Sequence, residues 1–248
     1  MFIFFNISSL QQINKMYAIN LARRKDRLES FLKRFPLNKQ SLKIFPAIDG
    51  ALLEAPTYFE KLSYGEVGCF LSHKSLWEMA LNKLDSDYIV IFEDDAKFSK
   101  NFSEKMKEHL KTLKCLDFDS IFYIGGRFTE DYKMKNCVKV NENMVKYDYD
   151  TIWNNMDCDR TAHAYIISKK CCELLLNEFN KRKEIPNYVF PPIDHYMLII
   201  LRLNNKEIYH SYPLICYSEI DSESDIGMAR RHSVCSDYDF WHFCNAIR

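Results

Sequence analysis

The chain alternates short apolar runs with longer segments in which apolar residues recur every three or four positions. Apolar runs without polar alternation are typical of strands buried on both faces, and the longer spacing predicts amphipathic helices. Ser63 and Glu66 have the spacing of a capping box, so one helix is expected to begin at Tyr64. The predicted strands of the first half lie at residues 16–21, 42–48, 88–92 and 120–124, and the predicted helices at residues 23–35, 64–84 and 101–116.

The second half of the chain continues this alternation less regularly. Ser168 is of the residue type that caps a helix. Residues 127–160 mix charged and aromatic side chains without a clear period, and we interpret them as a variable region that faces substrate. The other predicted elements lie at residues 161–167 (strand), 169–179 (helix), 193–203 (apolar helix) and 207–218 (one or two short strands).

Three carboxylates follow the apolar run at residues 88–92 without a break. Glu93, Asp94 and Asp95 would repel each other inside a buried strand, so we expect them at its carboxyl end, where open α/β sheets bind ligands. A divalent cation would relieve the repulsion, and oxygen ligands favour Mg²⁺ or Mn²⁺. The alternative is an acidic turn that caps the next helix, and these residues alone do not separate the two interpretations.

A polar and basic segment follows the first predicted strand. Asn20, Arg24 and Arg27 lie where a parallel strand is followed by its helix, and the amides of a helix N-terminus add positive potential there. The segment could hold a nucleotide. The alternative is an ordinary solvated first turn.

Small residues at two places predict close approach of another group. Gly68 and Ser72 are four residues apart on one flank of the second helix, beside His73. Gly125 and Gly126 end a predicted strand, where they permit close approach of substrate or a strained turn. A single histidine such as His73 is more often a structural hydrogen-bonding residue than a ligand.

Composition narrows the class of protein. Lys+Arg and Asp+Glu each number 34, and this balance argues against a general nucleic-acid-binding protein, which normally has a basic excess. Nine cysteines without zinc-type spacing favour free thiols in a reducing compartment. No apolar run approaches the ~18 residues of a membrane span, and the N-terminus lacks the basic flank of a signal peptide. We expect a cytoplasmic protein without an integral membrane segment.

The sequence predicts one folded domain. Six glycines and seven prolines leave little room for a flexible linker. We expect residues 16–248 to form that domain and residues 1–15 to be a poorly ordered extension, because the first clear strand begins at Met16.

An ordered set of segments resembles glycosyltransferase family 25, which includes bacterial lipooligosaccharide galactosyltransferases and collagen-modifying sugar transferases. The acidic triplet alone is a weak signal, but the order and spacing of the set are specific. One departure is Ala162, which separates Thr161 from His163 where the family often has Gly-Thr directly before the histidine. The matching segments are residues 17–21, 24–27, 66–73, 91–95, 121–125, 161–168, 192–194 and 224–226.

The resemblance implies a GT-A-type fold, which is a Rossmann-like, mixed and mostly parallel sheet flanked by helices. It also implies transfer of galactose or glucose from a UDP-sugar, with inversion at the anomeric carbon, to a hydroxyl of a glycan or protein acceptor. Mn²⁺ or Mg²⁺ is the implied cofactor. From the length of 248 residues we expect no additional hydroxylase or acceptor-binding domain.

The resemblance and the carboxylate pattern together assign roles to individual residues. Glu93 and Asp95 are the expected metal ligands, completed from the C-terminal segment by Asp225 or alternatively by His232. The expected catalytic residues are Asp194, as general base, and His163. Asp194 could equally be a helix cap, and His163 a structural hydrogen-bonding residue. The expected nucleotide-binding residues are Asn20, Leu21, Arg24, Arg27, Gly68, Ser72, His73 and Asp94.

Two other functions are compatible with the same residues. A nucleotidyl- or phosphotransferase could use the same acidic cluster and cation. A relative without activity could bind a sugar nucleotide or glycan without turnover, although retention of all three carboxylates and Asp194 argues against this.

Overall fold

The apolar runs of the sequence become the strands of a helix-flanked sheet in a computed structural model that describes residues 15–126, 137–147 and 162–218. The helices are α1 (Lys25–Arg34), α2 (Tyr64–Lys83), α3 (Phe102–Cys115), α4 (Lys169–Arg182) and α5 (Ile193–Leu203). The strands are β1 (Met16–Asn20), β2 (Leu42–Pro46), β3 (Tyr88–Glu93), β4 (Lys97–Phe98), β5 (Ile121–Tyr123), β6 (Gly125–Gly126), β7 (Cys137–Asn141), β8 (Met144–Tyr147), β9 (Ala164–Ser168), β10 (Ile208–Ser211) and β11 (Cys216–Tyr217).

The main sheet has eight strands in the order β2-β1-β3-β9-β5-β10-β8-β7, and β4, β11 and β6 form a smaller sheet. β1 pairs in parallel with β2 and β3, and β10 pairs in parallel with β5. β9 is antiparallel to both of its neighbours, and β8 is antiparallel to β10 and to β7. Six of the eight strands therefore share one direction, which confirms the expected mixed and mostly parallel sheet.

The core lies in two layers, one on each face of the main sheet. Successive strand residues point to opposite faces, so Tyr17 and Ile19 of β1 pack with α2, α4 and α5. Met16 and Ala18 pack on the other face with α1 and α3. Strands buried on both faces need apolar residues at every position, which explains the unbroken apolar run of β3.

Hydrogen bonds of the predicted kind fix the beginnings of two helices. The Glu66 amide donates to Ser63 Oγ at 3.2 Å, and Glu66 Oε2 accepts from the Ser63 amide at 2.9 Å. The capping box therefore forms, and α2 begins at Tyr64 as predicted. At the start of α4, Ser168 Oγ accepts from the Cys171 amide at 3.0 Å.

Several predicted boundaries shift, and one element is corrected. The helix expected at residues 23–35 is shorter, and the strand expected at residues 42–48 ends at Pro46. Residues 137–147, interpreted from sequence as an irregular region facing substrate, form a hairpin at the edge of the sheet beside β10. The period of two is obscured there because the hairpin pairing shifts between Lys139 and Asn141. The rest of residues 127–160 lies outside the described residues.

Other expectations concern the termini and the thiols. Residues 1–14, most of the predicted extension, lie outside the described part of the chain. The six cysteines within that part are all free thiols, as expected. Among the described helices, none combines the length and apolar character needed to cross a bilayer.

His109 on α3 makes the fold sensitive to acid. Its Nε2 lies 2.9 Å from Ser211 Oγ in a buried contact between α3 and β10. Burial lowers the pKa of His109 to about 4. A histidine in the unfolded chain has a pKa of about 6.5, so the unfolded state gains its proton first as the pH falls. The stability contributed by uncharged His109 is therefore full above pH ~6.5 and is lost as the pH falls towards ~4.

We expect His109→Gln to remove this acid sensitivity, because the amide replaces the hydrogen bond to Ser211 without titrating. Between pH 7 and 4, the wild type should lose up to about 3 kcal/mol more unfolding free energy than the variant. Urea unfolding of both proteins across this pH range measures the difference. Parallel stability curves for the two proteins would contradict the assignment.

Candidate active site

The site lies where two parallel strands end side by side. Ile19 of β1 is opposite Glu93 of β3 in the register, so the polar residues that follow each strand meet at one edge of the sheet. Three carboxylates from β3 and the loop after it face this edge. Their mutual repulsion is compensated differently for each of the three.

Asp94 is held by the segment that follows β1. Its carboxylate accepts a hydrogen bond from Asn20 Nδ2 at 2.6 Å and pairs with the Arg27 guanidinium at 2.5 Å. Burial, supported by the Asp95 and Glu93 charges, raises the pKa of Asp94 to about 6 against the opposing effects of Arg27 and Asn20. Arg34 on α1 donates to the backbone carbonyl of Asp94 and so fixes the loop itself. Asp94, Asn20 and Arg27 thus form one internal network at the predicted nucleotide site.

Glu93 is held from the opposite side by α2. Cys69 Sγ donates to Glu93 Oε1 at 3.4 Å, and His73 Nε2 lies 3.2 Å from the same oxygen. Burial raises the pKa of Glu93, but the hydrogen bonds from His73 and Cys69, with His163 nearby, lower it overall. The pKa of the Cys69 thiol is well above its usual value, because of burial and then the Glu93 charge. Cys69 is therefore a protonated donor to an ionised Glu93.

Asp95 has the least compensated charge of the three. Its Oδ1 atom is buried and accepts no hydrogen bond from any residue that the structure describes. Its Oδ2 atom lies 3.5 Å from the Arg27 guanidinium. Burial and then the Glu93 charge raise the pKa of Asp95, with His163 and Arg27 opposing. A positive group near Oδ1 would therefore stabilise the ionised form.

His163 lies beside both Glu93 and Asp95. Its backbone carbonyl accepts from the Glu93 amide at 2.8 Å, immediately before β9 begins, and the residue is buried. An alanine Cβ at Gly125 would lie 2.6 Å from His163 Nε2, so the absence of a side chain at Gly125 leaves room for this ring. The close approach predicted for Gly125 is thus to His163, and the described glycines include none with positive φ, so the alternative of a strained turn is not observed.

Asp194 reaches the same region from the start of α5. Its charge contributes to raising the pKa of the Cys69 thiol, so the carboxylate lies close enough to Cys69 to act on it electrostatically. Asp194 Oδ1 also accepts from the adjacent His195 amide at 2.9 Å, but Asp194 lies in the first turn of α5 and the N-cap residue is Pro192. In that position the carboxylate adds negative charge at the helix N-terminus without capping it, and its role as a base stays a prediction.

A cavity of about 410 Å³ opens beside the carboxylates. Arg23 and Asp49 line it and form an ion pair at 2.8 Å between the segments after β1 and β2. Ser72 Oγ accepts a hydrogen bond from the Ile48 amide at 2.8 Å, and this bond joins α2 to the segment after β2 in the cavity wall. The other lining residues are Ile19, Leu21, Arg27, Ala47, Ile48, Gly50, Ala51, Tyr64, Gly65, Gly68, Cys69, His73, Glu93, Asp94 and Asp95.

Most of the predicted site residues meet in this region. Asn20 and Arg24 lie at its edge: Asn20 Nδ2 donates to the Arg24 carbonyl at 3.1 Å, while the Arg24 side chain pairs with Asp26. The other predicted nucleotide-binding residues, apart from Asn20 and Arg24, line the cavity. The other predicted residues Asp225 and His232 lie outside the described residues, as does Thr161 of the family motif.

The sequence prediction missed several residues of the site, among them four with polar or ionisable side chains. Cys69 lies four residues before His73 on α2, and these two side chains with Glu93 bring three potential metal-ligating atoms within 4.8 Å of one another. The i, i+4 spacing of Cys69 and His73 was the available signal. Arg23, Asp49 and Tyr64 gave no comparable signal, because only the packing of separate loops brings them to the cavity.

The fold and the site define an α/β protein with a carboxylate-lined cavity at the carboxyl ends of its strands. A family model described as glycosyltransferase family 25 (LPS biosynthesis protein) matches residues 13–197. The chain belongs to this family, which confirms the resemblance seen in the sequence.

Relatives in the family are considerably longer than this chain. Human procollagen galactosyltransferase 2 is 25% identical over 232 residues, which is 86% of this chain and 33% of the relative. The mimivirus procollagen lysyl hydroxylase and glycosyltransferase is 29% identical over 209 residues, 74% of this chain and 22% of the relative. A bovine protein named probable inactive glycosyltransferase 25 family member 3 is 28% identical over 198 residues, 73% of this chain and 31% of the relative. The chain spans about a third or less of the length of these relatives.

Solved structures overlap only weakly with this chain. The structure of a mannose-1-phosphate geranyltransferase from Thermus thermophilus gives a TM-score of 0.36 at 11% identity, covering 76% of this chain and 63% of that one. HddC from Yersinia pseudotuberculosis gives a TM-score of 0.34 at 11% identity, covering 97% and 83%. Overlaps at this level do not inform on function.

Substitution of Gly68 tests how closely α2 packs against the loop that forms the cavity wall. An alanine Cβ there would lie 2.5 Å from the Ile48 carbonyl oxygen and 2.7 Å from the Gly50 amide. Alanine in place of glycine within a helix normally stabilises by about 1 kcal/mol. We expect Gly68→Ala to destabilise instead, by about 1–3 kcal/mol, because two backbones must separate.

Chemical denaturation of Gly68→Ala and the wild type measures this change. Asn82→Ala at an exposed position of the same helix is the control, and it should be neutral or stabilising. A Gly68→Ala protein that is as stable as the wild type would show that the helix and loop can separate without cost.

Proposed function

We propose that this protein is a metal-dependent, inverting glycosyltransferase that moves galactose or glucose from a UDP-sugar to a hydroxyl of a glycan or protein acceptor. The observation that carries the proposal is the buried Asp95 Oδ1 without a hydrogen-bond donor among the described residues, next to ionised Glu93 and a cavity. Family membership supports sugar transfer as the reaction class. The names of the relatives, procollagen galactosyltransferase above all, support galactose as the sugar.

Glu93 and Asp95 fit a hard divalent cation. Glu93 Oε1 is occupied by Cys69 and His73, so its second oxygen and Asp95 Oδ1 are the two atoms of the pair that we assign to the ion. Carboxylate oxygens are the ligands that Mg²⁺ and Mn²⁺ prefer. When bound, the ion would supply positive charge against the departing nucleoside diphosphate. We keep Asp225 as a proposed further ligand from outside the described residues.

The cavity and its basic rim suit the nucleotide part of the donor. Its volume of about 410 Å³ falls within the range of small-molecule sites, roughly 300–1,000 Å³. Arg27 extends towards the carboxylate loop, and Arg23 stands at the cavity wall in its pair with Asp49. We propose that phosphate oxygens engage these guanidinium groups, while Ile19 and Leu21 provide apolar contact for the rest of the nucleotide.

Asp194 and His163 are the residues that we assign to the reacting groups. Inversion requires a base that removes the proton of the acceptor hydroxyl on the face opposite the leaving group. Asp194 is assigned this role because its carboxylate approaches Cys69, and with it the carboxylate cluster, from a separate helix. His163, buried against Glu93 and Asp95, is assigned a contact with the donor or with the cation.

The proposed acceptors are taken from the descriptions of the family and its relatives. The family description refers to LPS biosynthesis, and several relatives are named for procollagen, so lipooligosaccharide and protein hydroxyls are both proposed acceptors. A cytoplasmic location stays a prediction from the sequence. A bovine relative that is named probable inactive makes binding without turnover the outcome against which the proposal is tested.

We expect slow, metal-dependent release of UDP when the protein is given UDP-galactose or UDP-glucose with Mn²⁺ and no acceptor. A panel of UDP- and GDP-sugars, with and without chelator, measures this. In a parallel assay with UTP and a sugar 1-phosphate, release of pyrophosphate would indicate a nucleotidyltransferase instead. Absence of both UDP release and metal-dependent nucleotide binding would indicate a protein without transferase activity.

Asp95→Asn should abolish metal-dependent release of UDP and metal-dependent binding of UDP, because the uncompensated Oδ1 charge is what we assign to the cation. The fold should persist, since Asp95 Oδ1 supports no hydrogen bond among the described residues. Asp119→Asn, in a partly exposed ion pair with Lys206, is the matched control and should retain both properties. UDP release that survives in Asp95→Asn would exclude it as a metal ligand.

Asp194→Asn should spare donor binding and lower turnover by about 10²–10⁴-fold, the usual contribution of a general base. Calorimetry with UDP and Mn²⁺ measures the binding, and UDP release measures the turnover. A protein that no longer binds the donor would mean that Asp194 belongs to the nucleotide site. Unchanged turnover would show that Asp194 is not the base and would leave it as a negative charge in the first turn of α5.

A further inference from the structure

A buried chain of hydrogen bonds leads from the core of the protein to Glu93. Trp77 Nε1 donates to Tyr165 Oη at 3.2 Å, and Tyr165 Oη lies 2.7 Å from His73 Nδ1. His73 Nε2 in turn lies 3.2 Å from Glu93 Oε1. Trp77, His73 and Tyr165 are fully buried, and neither Trp77 nor Tyr165 lines the cavity.

The donor and acceptor groups of these side chains determine the direction of each hydrogen bond from Trp77 to Glu93. An indole nitrogen can only donate, so the Tyr165 oxygen accepts from Trp77. The pKa of Tyr165 is well above its usual value because the residue is buried, so its hydroxyl keeps a proton to donate. Within the described residues, His73 Nδ1 is the acceptor in reach of that proton. Nδ1 then accepts, and Nε2 carries the hydrogen that Glu93 Oε1 accepts.

We propose that Trp77 and Tyr165 are positioning residues that fix His73 as an Nε2–H donor and thereby orient the Glu93 carboxylate. Cys69 donates to the same Oε1 atom from one turn earlier on α2. Two donors on one oxygen restrict rotation of the carboxylate and direct its other oxygen away from the helix. The consequence for metal binding rests on the proposed function, in which that other oxygen binds the cation.

Ring packing makes Tyr165→Phe a clean test. The His73 and Tyr165 rings are stacked, with centroids 5.6 Å apart and planes inclined by 28°. Phenylalanine retains this packing and removes only the hydroxyl. Tyr196→Phe is the matched control, because Tyr196 is also fully buried and its hydroxyl donates to the Leu175 carbonyl oxygen at 2.6 Å, between α5 and α4. Tyr196→Phe loses one buried hydrogen bond and Tyr165→Phe loses two, those with Trp77 and His73, but only Tyr165→Phe changes the contacts of His73.

The first measurement is ¹⁵N NMR of the histidine rings in the full-length, metal-free protein, with His73 assigned by the signal missing from His73→Asn. We expect the wild type to show a protonated Nε2 and an unprotonated, hydrogen-bonded Nδ1. Tyr165→Phe should shift the Nδ1 resonance to that of a nitrogen without a hydrogen bond, and Tyr196→Phe should leave it unchanged. A protonated Nδ1 in the wild type would overturn the direction of the chain.

The second measurement is Mn²⁺ affinity, read from the electron paramagnetic resonance signal of free Mn²⁺. Loss of a hydrogen bond made directly to a metal ligand typically weakens binding by about 10–100-fold, and because Tyr165 acts on Glu93 only through His73 we expect Tyr165→Phe to weaken it by about 10-fold, the lower end of that range. Tyr196→Phe should bind as the wild type does. Equal affinities in all three proteins would overturn the positioning role. A wild type with the expected tautomer but no Mn²⁺ binding would contradict the proposed function and confirm the hydrogen-bond chain alone.

Discussion

Mutual repulsion of Glu93, Asp94 and Asp95 is the constraint on which the rest of the site depends. Two unit charges about 4 Å apart repel by about 4 kcal/mol at an effective dielectric constant near 20, so three adjacent, partly buried carboxylates need compensating groups to stay ionised. α2 compensates Glu93 through Cys69 and His73, and the segment after β1 compensates Asp94 through Asn20 and Arg27. The charge of Asp95 is compensated least. Its Oδ1 atom accepts no hydrogen bond from the described residues and is the atom proposed to bind the cation.

The sheet topology brings these compensating groups together. Parallel pairing of β1 with β3 places Asn20 next to Asp94. Antiparallel β9 begins at the same edge of the sheet, so His163, the residue before it, lies beside Glu93. α2 lies close to the loop at residues 48–50 because Gly68 has no side chain, and this contact sets the wall of the cavity. A site built on strand ends and helix faces holds its side chains more rigidly than a site on mobile loops.

The sequence predicted elements best where local chemistry alone specifies them. The capping box of Ser63 and Glu66 and the cap at Ser168 form as expected, because each is closed within one helical turn. The hairpin at residues 137–147 was missed, because a shift in its pairing obscures the two-residue period. Of the site, the carboxylates and Arg27 were visible in the sequence. Cys69, Arg23 and Asp49 were missed, because their roles depend on contacts between segments far apart along the chain.

The amino-acid sequence by itself determined the class of fold, the buried strand that ends in three carboxylates, and membership of the family, since these depend on local periodicity and on ordered motifs. Only the tertiary structure decided which side chains pair with or donate hydrogen bonds to each carboxylate. It assigned Arg27 chiefly to Asp94, gave Cys69 and His73 to Glu93, and left Asp95 Oδ1 unfilled among the described residues. The physical reason is that hydrogen bonding and desolvation act over a few ångströms in space, whatever the separation along the chain.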